Sequence, residues 1–348
     1  MSAKPNIRAF HPENERLKRA YLQHVHHVSR KGQASMDRIA ASIDRFQSHS
    51  KGKPFRKFHL EQAVAFKRAL GAERNERTGM PISASTKRQV LHDLKGFFHW
   101  LADQPGFKKR VTHSMADYFN ADNRTMALAN QARPIAYPSL QQVEHVLRAM
   151  PASTPIEKRD RAIIAFCLLT GARVDAIISA RMGHIDIIEG SFFQDAREVH
   201  TKFSKTIDTW FFRASEFTLG IFIDYYRNRR DIDLAAPSDP LFPATRIESV
   251  LGLGFQAVGL AGGHWRTTSP VRGILRKAFE LAGLRYYNPH SFRHLLSALA
   301  KEHCTTLQEL QAWAQNFGHE DLVTTMQAYG KVTREQQREV IHKIYGKS

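Results

Sequence analysis

The side chains of this 348-residue chain best suited to chemistry are Arg173, Lys202 and Lys205, His290 with Arg293, then His319, and finally Tyr329. Guanidinium groups grip oxyanions bidentately and stay charged at any working pH. Imidazoles give or take a proton near neutrality. A phenol, with a pKa of about 10, becomes a nucleophile only after losing its proton. Singly, each has a plainer reading. Arg173 follows a "TGA" break and suits a structural ion pair, and Tyr329, in "MQAYGKV", suits a core tyrosine. In "HSFRH", His290 and Arg293 share one helical face with His294 a turn beyond His290. A zinc pair at His290 and His294 lacks both the glutamate of an HExxH helix and a third ligand, so no metal is expected.

Positioning these groups falls to a short series of elements. A helix over about 139–150 is followed by the apolar "RAIIAFCLLT", which closes on Gly171, and "RVDAIISARM" resumes a helix beyond it. Three β-rich runs, "HIDIIE", "SFFQDAREVHT" and "TIDTWFFR", predict a small antiparallel sheet with the two lysines in its last connection. From about 215 the pattern is mostly helical, with loops around "APSDPLFPATR" and "GLAGGHWRTTSP".

In this order, the strings "LLTGARVDAIISARMGHID", "NPHSFRHLLSALA" and "FGHEDLVTTMQAYG" resemble the active site of the tyrosine recombinases, the phage-integrase family. At motif level the resemblance spans about 138–345. It implies a site-specific DNA recombinase that cleaves and rejoins duplex DNA through a 3′-phosphotyrosyl intermediate, in integration or excision of a mobile element. Tyr329 would be the nucleophile. Arg173 and Arg293 would hold the phosphate oxygens on which charge develops. His290 and His319 would donate to the same phosphate, with His290 also able to accept the tyrosine proton. A lysine on the β-turn would protonate the leaving 5′ oxygen; in the family's K-x-x-K turn the first lysine acts, which favours Lys202 over Lys205. With charge supplied by side chains, no metal or nucleotide cofactor is required. The rival readings are a type IB topoisomerase and an inert DNA-binding factor of the same fold.

Two departures from the family pattern stand out. The acidic residue many relatives carry three positions after the first arginine is here Ala176, with Asp175 one position early, and His319 to Tyr329 is ten residues, one longer than usual.

The rest of the chain bounds the setting. The formal charge is +18, and residues 1–137 hold 25 Lys+Arg against 11 Asp+Glu, leaving only +4 to the remainder. A basic N-terminal part suits a polyanion gripped through its phosphates. The predicted architecture is mainly α with a small antiparallel β-sheet, a two-domain C-clamp around double-stranded DNA. It has an N-terminal arm over 1–30, a helical core-binding domain over 31–120, a linker over 121–138 and a catalytic domain over 139–348 with a C-terminal tail helix. In the helical domain, Met36, Ile39, Ile43 and Phe46 set one helix. A second runs from about His59 to Leu70, and a third, capped by Ser85, carries a core stripe from Val90 to Leu101 beside Trp100. Lys87, Arg88 and Lys95 on exposed helix faces are the DNA-binding candidates. The tail has Val340, Ile341 and Ile344 at helical spacing, fit to cap its own domain or to dock on a neighbouring protomer. A homotetramer on paired sites is expected, with accessory recombination proteins as further partners. The polar N-terminus, the lack of a long apolar run and only two cysteines, Cys167 and Cys304, point away from secretion, membranes and disulfides and toward the cytoplasm.

Overall fold

A computed structural model describes residues 11–76, 78–131, 135–201 and 204–318, together with residue 338. Lys202, His319, Tyr329 and the tail positions Val340, Ile341 and Ile344 lie outside the described residues. The chain divides into two units, Met1–Arg133 and Pro134–Ser348.

In the first unit, the described residues form helices α1 (Pro12–Ser29), α2 (Gln33–His49), α3 (Leu60–Ala72), α4 (Ala84–Ala102), α5 (His113–Ala116) and α6 (Asn123–Asn130). Its core is aromatic: Phe46 meets Phe58, Phe66, Phe98 and Phe119 edge-to-face at centroid distances of 5.3–6.0 Å. Such pairing adds to what burial alone contributes. The stripe from Val90 to Leu101 is buried as expected, and Trp100 packs beside it on Tyr21 at 5.3 Å. Ser83, not Ser85, caps α4, because its hydroxyl reaches the Thr86 amide at 3.0 Å.

The stretch read as an arm holds α1, docked through Asn14, whose amide donates to the Lys53 carbonyl and accepts from the Phe55 N–H. Gly96 permits this docking, since a Cβ there would meet the Tyr21 hydroxyl at 2.9 Å. The stretch read as a linker holds α6, which packs on α4.

The second unit is built around α8 (Pro155–Thr170), whose residues Ala162 to Leu169 are all essentially buried. Around it lie α7 (Leu140–Ala149), α9 (Val174–Ser179), α10 (Glu216–Arg227), α11 (Ser269–Leu281), α12 (His290–His303) and α13 (Leu307–Asn316). The expected sheet is present: β1 (Ile185–Asp186), β2 (Ser191–Gln194) and β3 (Ile207–Trp210) pair antiparallel in that order, with Phe192 opposite Thr209. A second, two-stranded sheet of β4 (Thr245–Val250) and β5 (Gly254–Leu260) occupies a stretch read only as loops and helix. Its residues are largely exposed, so no burial periodicity marks it in the sequence. Among the described residues, no helix is long and apolar enough to cross a membrane, and Cys167 and Cys304 are free thiols.

Candidate catalytic site

The site grows from the end of α8. Gly171 closes that helix in the left-handed conformation (φ 56°), and its N–H bonds the Cys167 carbonyl at 3.0 Å. Only glycine suits this position twice over, because a Cβ would also lie 2.6 Å from Cε1 of Phe317. The sharp exit puts Arg173 at the N-cap of α9 with extended backbone. There its side chain is half-buried, and desolvation holds its pKa below the usual arginine value.

Arg293 lies one turn into α12 and is 6% exposed. Its Nη1 donates to the Gly171 carbonyl at 3.0 Å and its Nη2 to the Phe317 carbonyl, while the guanidinium carbon sits 4.4 Å from the Phe317 ring centroid. Burial, and secondly the charge of Arg173, press its pKa down to about 9. The two arginines therefore share one field, and each makes the other's charge costlier until an anion arrives. His290 opens α12 and is exposed, its ring edge-to-face with His294 at 4.9 Å. Burial, then the charge of Arg293, lowers the pKa of His294. Among the described residues, no group of three His, Cys, Asp or Glu is placed to hold a metal ion.

Lys205, partly buried, lines a cleft of about 540 Å³ with Ile207, Trp210, Asn316 and Gly318. Gly318 is also left-handed (φ 70°), and a Cβ there would fall 2.5 Å from Cδ1 of Ile207. The segment entering His319 is thus pressed against the strand that leaves the lysine turn. Of the expected set, Arg173 and Arg293 come together, His290 shares the helix of Arg293, and Lys205 faces the glycine that precedes His319. Phe317 and Asn316 were not among the sequence candidates. Phe317 reads as core, and nothing in its spacing marks the cation above its ring.

The DNA-binding candidates are engaged within their own unit. Lys87 Nζ donates to the Gly71 carbonyl at 2.8 Å, Arg88 to Asn130 Oδ1 at 2.6 Å, and Lys95 to Asn120 Oδ1 at 2.9 Å beside Asp117, also at 2.9 Å. Lys108, Lys109 and Arg110, on the turn after α4, are exposed.

A helical unit is thus followed by a mostly helical unit with small antiparallel sheets, in which two arginines converge at the break after a central helix. The model of the phage integrase family matches residues 139–336, over half the chain, and the chain belongs to that family. It is 24% identical over 257 residues to the tyrosine recombinase XerC of Lactobacillus delbrueckii subsp. bulgaricus, covering 71% of this chain and 72% of that one. Two solved structures share its fold. The XerH site-specific recombinase in a post-cleavage complex with palindromic difH substrate has a TM-score of 0.61 at 14% identity, covering 94% of this chain and 84% of that one. The Tn1549 transposon integrase in complex with transposon right end DNA has a TM-score of 0.60 at 14% identity, covering 94% and 99%.

Proposed function

We propose that this recombinase cuts duplex DNA with Tyr329, conserving the broken bond as a 3′-phosphotyrosyl link until a 5′ hydroxyl from a second duplex reseals it. The observation that carries the reading is the charge pair: Arg293, held by two backbone carbonyls, has a pKa pressed down first by burial and then by the charge of Arg173. Two cations kept together at a desolvation cost suit a dianionic phosphorane-like transition state better than any neutral ligand. His290 and His319 would add donors to the phosphate, with His290 taking the phenol proton. Lys202, with Lys205 as its alternative, would return a proton to the leaving oxygen. Each cleavage leaves one phosphotyrosine and one free 5′ hydroxyl, so bonds balance without a metal or nucleotide cofactor. Exchange between two duplexes involves four strands, which favours four protomers on paired sites. The double-stranded DNA would lie in the cytoplasm, and the likeness to a transposon integrase favours integration or excision of a mobile element, with accessory proteins setting direction.

The test uses duplexes tiled across the DNA flanking the protein's own gene, each nicked so that a short cleaved fragment diffuses away and traps the covalent adduct. Wild type is expected to yield a denaturant-resistant adduct at one repeated sequence, with the DNA 3′ phosphate on Tyr329 by mass spectrometry. Tyr329→Phe should bind the same duplex and trap nothing. Binding without an adduct, or an adduct on another residue, overturns the reading.

A further inference from the structure

The segment 316–318 touches the sheet and the arginine pair at once. Among the described residues, strand β3 is an edge strand, paired with β2 on one side only. Its outer edge is met by the side chain of Asn316. Asn316 Nδ2 donates to the Trp210 carbonyl at 2.8 Å, and its Oδ1 accepts from the Trp210 N–H at 2.7 Å. A carboxamide has the donor–acceptor layout of a peptide group, so Asn316 pairs with the strand as a neighbouring residue in an antiparallel ladder would. The backbone joins in: Thr209 Oγ1 donates to the Asn316 carbonyl at 3.0 Å, and the buried Gln194 donates to the same Thr209 oxygen at 2.8 Å. With Gly318 against Ile207, β3 is fastened at positions 207, 209 and 210. The residue between the two fasteners, Phe317, lies under Arg293.

We propose that Asn316 is a positioning residue, a one-residue extension of the sheet that sets the lysine turn before β3 against the arginine pair and the segment entering His319. The proposal rests on the function argued above. Lys205 is two residues from the clamped strand, and His319 three residues from Asn316. Losing the clamp lets the proton donor drift from the phosphate. A misplacement of about 1 Å reduces reaction by about 10²-fold. The cost to stability is small, because Trp210 is 54% exposed and its peptide groups can turn to water.

Two variants separate positioning from mere support. Asn316→Leu removes both side-chain bonds. Asn316→Asp keeps an acceptor, but regains the donor only when its carboxyl is protonated, since a neutral acid presents one O–H and one carbonyl oxygen as the amide does. On the trapping duplex identified above, Asn316→Leu should bind like wild type and form adduct about 10- to 100-fold more slowly. The adduct rate of Asn316→Asp, divided by that of wild type at the same pH, should rise as pH falls from about 8 toward about 5, approaching the carboxyl's range. Hydrogen exchange supplies a readout independent of cleavage: the Trp210 amide should exchange faster in Asn316→Leu than in wild type. A wild-type adduct rate in Asn316→Leu, or a flat Asn316→Asp ratio, overturns the positioning role. An unchanged Trp210 amide overturns the clamp itself. Absence of adduct from wild type overturns the function reading and leaves the exchange result to judge the clamp.

Discussion

Arg293 donates to the carbonyl of Phe317 while its guanidinium carbon lies 4.4 Å from the centroid of that residue's ring. One buried cation thereby ties the turn before Arg173, through Gly171, to the turn before His319. The bond is structural and electrostatic together, and the two roles can be separated by experiment. A lysine in place of Arg293 keeps the charge but cannot reach both carbonyls. One buried acceptor loses its partner, at a cost of about 1–3 kcal/mol. Among the described residues Arg173 has no such backbone clamp, so Arg173→Lys should cost adduct formation and little stability. Arg293→Lys should cost both. Thermal melts beside the trapping assay check this, and an Arg173→Lys variant that melts below Arg293→Lys contradicts it.

The two left-handed glycines give a second prediction. Gly171→Ala places a Cβ 2.6 Å from the Phe317 ring in a conformation that disfavours side chains, and Gly318→Ala places one 2.5 Å from Ile207. Left-handed strain of about 1–2 kcal/mol adds to overpacking of about 1–3 kcal/mol. Both variants should unfold at visibly lower denaturant, with unchanged slope. Gly79→Ala, also left-handed (φ 66°) but with open space around its Cβ position, should incur the strain alone.

Much of this was legible in the sequence. The apolar run of α8 and its Gly171 stop follow from an unbroken stretch that is buried on all sides, and the β1–β2–β3 sheet from alternating burial and turn chemistry. Where burial is sparse, the signal fades. Helix α1 buries Asn14, Lys18, Tyr21 and Val25, only two of them apolar, so its stretch reads as an arm. Hairpin β4–β5 buries almost nothing. Lys87, Arg88 and Lys95 sit where a helix wheel puts solvent, yet their donors are taken by Gly71, Asn130 and Asn120. Those partners lie 16, 42 and 25 residues away, beyond any local pattern. The order of the site residues was visible, whereas the Asn316 clamp and the Phe317 platform depend on contacts about 106 and 24 residues apart.

Arg293 also sets a pH and anion dependence. Its folded pKa, about 9, lies below the ordinary arginine value. The stability this shift contributes is fully present only above the unfolded pKa and is lost as pH falls through about 9, since there the unfolded chain binds the proton more readily. At neutral pH the charged pair is therefore a net cost that a bound phosphate offsets. Inorganic phosphate should raise the melting temperature of wild type more than that of Arg293→Met at equal ionic strength. The stability of wild type relative to that variant should also increase as pH climbs beyond about 9. Equal phosphate shifts in both proteins count against the anion site.

Whether the first unit grips DNA through its phosphates is read from salt. Each phosphate contact contributes about 0.9 to the slope of log affinity against log salt. Replacing the exposed Lys108, Lys109 and Arg110 with alanine should flatten that slope, by about one for each side chain in contact. Lys87→Ala, Arg88→Ala and Lys95→Ala should act more on melting temperature than on slope, because each breaks a bond inside its own unit. Filter binding of one duplex across a salt series decides. A slope changed only by the second set restores those three as the phosphate contacts.

The choice between Lys202 and Lys205 is a question about a proton, so it has a chemical answer. A general acid matters only while the leaving atom needs protonation. With sulfur in place of the bridging 5′ oxygen, the leaving thiolate departs unprotonated, since a thiol's pKa of about 8.5 is far below that of an alcohol. Lys202→Ala should form adduct at least about 10²-fold more slowly than wild type on the oxygen duplex, and nearly as fast on the sulfur duplex. Lys205 lines the cleft beside Gly318 and Trp210, so Lys205→Ala should show a smaller loss that sulfur does not repair. Rescue of Lys205→Ala instead would transfer the role to that residue. Rescue of neither would mean that the proton comes from elsewhere in the site, and the first residue to replace would then be His290.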